Sequence, residues 1–186
     1  MTSLDLSAHG SPGSIDDLNT SAALSAFTGG QVKKASYVYG QANITRQTEL
    51  PFGTSLVTQL TSQYAGTAIP ESQEIALGGP TAVRGYTIDD GAWDDGAVLR
   101  DELHGLLLPL GANGSAGLGT MMFVDYGFGR SDSARRIANE ASVGLGADLH
   151  VGTLVLVSGD VCSPLINGQS TRSGRLHLDV RVSMSY

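Results

Sequence analysis

Gly174-Arg-Leu-His-Leu-Asp-Val-Arg-Val-Ser-Met-Ser-Tyr186 sorts every side chain onto one of two opposed faces. Leu176, Leu178, Val180, Val182, Met184 and Tyr186 fall on one side; Arg175, His177, Asp179, Arg181, Ser183 and Ser185 fall on the other. A repeat of two is the signature of a β-strand. The basic, histidine and aspartate side chains predict a watery lumen on the polar side. The apolar column, ending in an aromatic, predicts lipid on the other. About 9–11 residues suffice for a strand to cross a bilayer, so this stretch predicts one strand of an outer-membrane barrel.

The composition agrees. Hydrophobic residues make up 41% of the chain and charged residues 16%, and no run approaches the roughly 18 apolar residues of a membrane-spanning helix. A barrel hides its membrane character from such averages, because each lipid-facing residue is followed by a lumen-facing one. Glycine, at 25 of 186 residues, suits turns and strands more than helices. A net charge of −7 offers no basic stripe for phosphates and excludes nucleic acid as a partner.

The single cysteine, Cys162, excludes an internal disulfide and a zinc site of paired cysteines; it is expected as a small side chain within a strand. His9, His104, His150 and His177 show no metal spacing. His104 and His177 are expected in the lumen and His150 at a strand end. Asp89, Asp90, Asp94 and Asp95 lack the alternating ligand series of a calcium loop and are expected on a solvated surface. Trp93 and the tyrosines are expected at membrane interfaces. No nucleophile elbow, phosphate loop or catalytic carboxylate pair is present, so the expectation is no enzyme, no cofactor and no metal.

Turn residues divide the chain into about eight extended segments. They run near Thr2–His9, Ala35–Leu50, Thr54–Ala65, Gly96–Leu108, Leu118–Gly129, Ala138–His150, Thr153–Pro164 and Gly174–Tyr186. Ser21–Phe27 is read as a short helix or ordered loop, and Pro109–Gly117 as a glycine-rich turn. Antiparallel strands joined by alternating short and long connections fit a barrel meander. Met1 to His9 already reads as a strand where an exported protein would open with a basic and apolar leader, which leads us to expect a truncated chain.

The connection from Gly66 to Asp95 is too long for a hairpin link. Structureless loops beyond roughly 12–15 residues are usually functional or disordered. This one contains Leu77-Gly-Gly-Pro-Thr-Ala-Val-Arg-Gly-Tyr86, in which Val83 and Tyr86 seek burial while Arg84 needs an anionic partner if it follows them. A loop folded back into the lumen meets both demands.

That segment resembles the Leu-Gly-Gly-x-x-Ser-Val-Arg-Gly-Tyr/Phe signature of a long loop in two-partner secretion transporters, the hemolysin-secretion and filamentous-hemagglutinin-secretion proteins related to BamA. Asp95-Gly96 with Arg100-Asp-Glu-Leu103, Phe123-Val-Asp-Tyr-Gly127, Ala141-Ser-Val-Gly-Leu-Gly146, Asp160-Val-Cys-Ser-Pro-Leu165 and Arg175-Leu-His-Leu178 resemble later motifs of the same family, in order. Ala82 stands where the family often has serine.

The resemblance implies an all-β fold, an antiparallel transmembrane β-barrel fragment of about eight strands, half of a sixteen-stranded barrel, with a long inward-folded loop. Residues 1–186 would be the C-terminal part of the barrel, without the periplasmic transport-associated domains, plug helix and first barrel half. It further implies a bacterial outer-membrane pore secreting a large exoprotein of hemolysin, hemagglutinin or adhesin type, with the fragment alone inactive. A BamA-type assembly factor is the alternative. The implied lumen anchor comprises Gly78, Gly79, Val83, Arg84, Gly85, Tyr86 and Asp125, with Arg84 paired to Asp125. Val182, Met184 and Tyr186 would form the C-terminal signal read by the barrel-assembly machinery. Exoprotein, outer-membrane lipid and that machinery are the implied partners.

Overall fold

A computed structural model of the chain describes residues 1–111, 115–152 and 154–185. Its strands are β1 (Thr2–Ser11), β2 (Tyr37–Glu49), β3 (Ser55–Tyr64), β4 (Ile75–Ala76), β5 (Ala92–Trp93), β6 (Asp95–His104), β7 (Leu108–Leu110), β8 (Ala116–Ser131), β9 (Arg136–Val151), β10 (Val155–Pro164) and β11 (His177–Met184). Nine of them form one antiparallel sheet, eight in the order β1-β2-β3-β6-β8-β9-β10-β11 with β7 paired to β8 beside that path. Each long strand pairs with the next one along the chain, and the meander is all-β as expected. Among the described residues β1 does not pair with β11, and the sheet is open.

Period-two alternation decides which face each side chain takes, and the register carries it across the whole sheet. Leu60 of β3 stands opposite Leu99 of β6, Leu99 opposite Tyr126 of β8, and Val124 of β8 opposite Val143 of β9. Further along, Leu145 pairs with Val161 and Val161 with Leu178. These residues define one apolar face, on which Met122, Val124, Leu145, Leu178, Val180, Val182 and Met184 are all exposed. Asp101 is the acidic exception on this face, where the Thr58 hydroxyl donates to it at 2.5 Å. The opposite face carries Arg100, Glu102, His104, Asp125, Glu140, Ser142, Asp148 and Asp160. Hydrophobic burial in a single layer would put the apolar side chains beneath cover; here they lie open while the polar face is covered, as a lipid-facing sheet requires.

Chain direction places the connections 12–36, 65–94, 132–135 and 165–176 at one end of the sheet. The turns from β2 to β3, from β6 to β8 and from β9 to β10 start and end at the other. The first connection contains helix α1 (Ser21–Phe27), whose N-cap residue Thr20 accepts the Ala23 N–H at 3.1 Å. Of the two readings of this segment, short helix or ordered loop, the helix is the one found. The expected turn over 109–117 is replaced at its start by β7, since Leu108 and Leu110 pair with Leu118 and Ala116 and extend the β8 ladder. Alternation at Leu108-Pro-Leu110 is too short to be separated from a loop by pattern alone.

Connection 65–94 folds back over the polar face. It carries the hydrophobic cluster of Ile75, Leu77, Val83, Tyr86 and Trp93, packed on Val98 of β6. Gly127 and Gly129 of β8 make room beneath it: a Cβ on Gly127 would stand 2.9 Å from Val83, and one on Gly129 2.5 Å from the Trp93 ring. Trp93 is thus a buried loop anchor and not an interfacial residue, as its ring has the bare backbone of Gly129 to rest on. Among the tyrosines, Tyr39 and Tyr86 are buried, while Tyr64 and Tyr126 lie exposed on the apolar face.

The apolar face predicts an asymmetric response to charge. Val180→Arg, in the middle of β11, should destabilise the membrane-inserted protein by about 2–4 kcal/mol. Asp179→Asn, on the opposite face, should change it far less. Urea unfolding in lipid vesicles measures both.

Candidate functional site

The site is built where the folded-back loop meets β6, β8 and β10. Leu77-Gly-Gly79 turns tightly: the Val83 N–H donates to the Leu77 carbonyl at 2.8 Å and the Ala82 N–H to the Gly79 carbonyl at 3.0 Å. Gly79 has φ +120°. Gly78 has the Thr87 carbonyl 2.5 Å from where a Cβ would be, so the two limbs of the loop can close only on a glycine. Gly85 has φ +84°, and a Cβ there would lie 2.9 Å from the Cys162 sulfur and 3.2 Å from Pro164. The backbone conformation and the close approach both require glycine.

Between these glycines Val83 and Arg84 are driven into the interior. Val83 is fully buried, Arg84 is 2% exposed and Asp125 is fully buried. The Arg84 fork meets the Asp125 carboxylate in two parallel bonds, Nε to Oδ2 at 2.7 Å and Nη2 to Oδ1 at 2.7 Å. The Arg84 backbone N–H adds a third, to Oδ2 at 3.1 Å. Such a bidentate contact fixes both distance and orientation. The remaining Arg84 nitrogen, Nη1, lies 2.9 Å from Glu102, and the Phe123 ring centroid is 3.4 Å from the guanidinium carbon, a cation–π contact.

The network extends along the polar face. Arg100 reaches Glu102 at 3.1 Å and Asp125 at 3.8 Å, and His104 lies 3.1 Å from Glu102. Burial by itself lowers the Arg84 pKa, but Asp125, followed by Glu102 and Asp160, outweighs it and holds the guanidinium above its ordinary value. It is a fixed cation. Removing either partner strands a buried charge, which typically costs about 3–5 kcal/mol.

Tyr86 closes the motif. Its hydroxyl donates to the Ile166 carbonyl at 2.7 Å, with the Ala141 carbonyl at 3.0 Å, and accepts from the N–H groups of Ala141 and Ile166. Gly78, Gly79, Val83, Arg84, Gly85, Tyr86 and Asp125 therefore come together in one place. Val182 and Met184 lie apart, exposed on the apolar side of β11, and Tyr186 falls outside the described residues.

The acidic cluster is a correction. Asp89 is exposed, but Asp90, Asp94 and Asp95 are buried and serve as anchors instead of a solvated surface. Asp94 accepts the N–H groups of Ile69 (2.7 Å) and Asp132 (2.8 Å), tying the long connection to the β8–β9 turn. Asp95 accepts from Ala65, Gly66 and Arg130. Acceptor carboxylates that satisfy loop N–H groups look like surface acids in a sequence, because most of their donors are backbone. Glu102 went unassigned too, although it shares a face with Arg100 and His104.

Cys162 is buried on β10 under Gly85, as a small strand residue. With Asp160 and Asp179 it forms a group whose ligand atoms lie within 4.8 Å of one another.

The family model for the haemolysin secretion/activation protein ShlB/FhaC/HecB matches residues 13–150. The chain belongs to this family of two-partner secretion transporters. Among solved structures it is similar to CdiB from Escherichia coli, with a TM-score of 0.70 and 19% identity over 83% of this chain. That alignment spans 29% of the CdiB chain, so the likeness concerns the fold of a part. No curated protein matches.

Two predictions follow from the geometry. Arg84→Ala and Asp125→Ala should each destabilise the seated loop by about 3–5 kcal/mol, with the double variant well short of the sum, in a double-mutant cycle on urea unfolding. Arg84→Lys should not restore it, because an ammonium cannot form the fork.

The second concerns pH. Burial, then Asp94 and Glu71, push the Glu74 carboxyl from 4.5 up to about 7. A folded-state value above the unfolded one makes its contribution complete below about pH 4.5 and lost as the pH rises through about 7. Loop protection should fall between about pH 4.5 and 7, and Glu74→Gln should flatten that fall; protease sensitivity of residues 66–94 reports it.

Proposed function

We propose that this chain forms the C-terminal part of a bacterial outer-membrane pore that secretes a partner exoprotein, with the long loop seated in the lumen by Arg84 and Asp125. The observation that carries the reading is the buried fork between a loop arginine and a strand aspartate on the polar face of a sheet whose other face is apolar. A structural loop would need no charge in that position, since Val83 and Tyr86 already supply burial. A charged tether holds the loop in one orientation and can release it whole, because once hydrated both groups are at home in water.

In this proposal residues 1–186 are the second half of a barrel, whose periplasmic domains, plug helix and remaining strands lie on the rest of the transporter. The connections 12–36, 65–94 and 165–176 face outward, matching the long outer loops and short periplasmic turns of such barrels. The exported partner is a large exoprotein, of hemolysin, hemagglutinin or adhesin type, passing unfolded along the polar face; Arg100, Glu102, His104, Asp148 and Asp160 line its route. The apolar face meets outer-membrane lipid. Val182, Met184 and Tyr186 are the residues offered to the barrel-assembly machinery. The family membership supports export over assembly of other barrels.

In the intact transporter, Arg84→Ala or Asp125→Ala should cut the secreted exoprotein to a minor fraction of the wild-type amount while the barrel still reaches the outer membrane. Immunoblots of medium and membrane fractions read the two quantities. Wild-type secretion by both variants would refute the gating role.

A further inference from the structure

Past Tyr86 the loop makes a 3-10 turn over Ile88–Asp90, and the Asp90 side chain, 1% exposed, points away from solvent towards the β10–β11 connection. Its carboxylate accepts the N–H groups of Thr87 (2.9 Å), Ser170 (2.7 Å) and Thr171 (2.9 Å), and the hydroxyls of Thr87 (3.2 Å) and Thr171 (2.5 Å). In return the Gln169 amide donates to the Asp90 carbonyl at 2.8 Å, and the Ser170 hydroxyl to the Asp89 carbonyl at 3.3 Å. Gly168 lies so close to the carboxylate that any side chain there would collide with it.

Capping the turn would need only the donors of Thr87. The three donors of Ser170 and Thr171 come from a segment some eighty residues later, and that segment is itself fastened to the sheet. The Leu165 N–H donates to the Ala141 carbonyl of β9 at 2.7 Å, and the Gly174 N–H to Pro164 of β10 at 2.8 Å. Asp90 therefore joins a loop that has to be placed to a connection that is already placed. Bonds to an ionised acceptor are roughly twice as strong as neutral ones, and burial leaves no water to replace a lost donor. Burial raises the Asp90 pKa, but the Thr171 and Ser170 donors outweigh it and hold the carboxyl below its ordinary value, so the charge is present across the physiological range.

We infer that Asp90 is a positioning residue for the long loop: its buried carboxylate clasps the loop's return limb to Ser170 and Thr171, and the Arg84 anchor keeps its place on the polar face only while this clasp is closed. The inference rests on the proposed role of the loop in transport and names a second control point within it. The β10–β11 connection acts as the fixed half of the clasp. Arg84 and Asp90 then hold the loop at two separated points, one under the Gly85 bend and one at the exit from the motif. Tyr86, bonded to Ala141 and Ile166, lies between them in the chain, so the clasp secures the limb that leads out of the motif.

The experiment is hydrogen exchange followed by mass spectrometry on the intact transporter in lipid vesicles, comparing wild type with Asp90→Asn, Thr171→Val and Thr171→Ser. The decisive region is 82–86, which includes the Arg84 N–H bound to Asp125 and makes none of the hydrogen bonds of the Asp90 carboxylate. Asp90→Asn and Thr171→Val should speed exchange there by about tenfold or more, whereas Thr171→Ser, which keeps the hydroxyl, should stay within about twofold of wild type. Unchanged amides across β8 and β9 show that the barrel is intact, and Thr171→Val carries the test if Asp90→Asn fails to insert. Continued protection of 82–86 in the variants that insert, with loss confined to 168–171, overturns the inference. Faster exchange at 82–86 alongside wild-type secretion upholds Asp90 as a positioning residue and counts against the transport reading instead.

Discussion

A guanidinium that cannot shed its proton has been placed in the interior, and the rest of the structure answers to that constraint. Arg84 can stay there only with an ionised partner in fork geometry, which fixes Asp125 on β8. The three contacts to Asp125 also orient the loop backbone, since one of them is the N–H of Arg84 itself. Glu102 and the Phe123 ring take up what remains of the cation's surface. The glycines follow from the same demand for closeness: Gly85 passes over Cys162 and Pro164, and Gly127 lies under Val83. Each is small because a charge-bearing loop has to reach the sheet.

The sheet supplies the complementary constraint. Its register is continuous from β1 to β11, and a slip of one residue in any strand would turn that strand's entire apolar set towards the polar face. Asp125, Arg100 and Glu102 meet because β6 and β8 pair Arg100 with Asp125 and Glu102 with Phe123. The polar network is thus a property of pairing, and no local segment contains it.

Much of this is legible in the sequence alone. Alternation in Gly174–Tyr186 named both faces, and the pattern held through Leu178, Val180, Val182 and Met184. The pairing of Arg84 with Asp125 came from the resemblance of two separated motifs, and burial of Val83 and Tyr86 from their chemistry. What could not be read were contacts made mostly to backbone. Asp90, Asp94 and Asp95 looked like exposed acids because an N–H group carries no mark in a sequence. Trp93 looked interfacial because nothing local shows that Gly129 lies beneath it. The short strand Leu108–Leu110 escaped because three residues do not establish a period.

One consequence belongs to the lone sulfur. Cys162 is 1% exposed and is roofed by Gly85 of the loop. While the bend is down the thiol is sheltered from reagents in solution; were the bend to lift, the thiol would lose that roof. Alkylation at this natural cysteine would therefore report any departure of the bend, without the addition of a label to the loop.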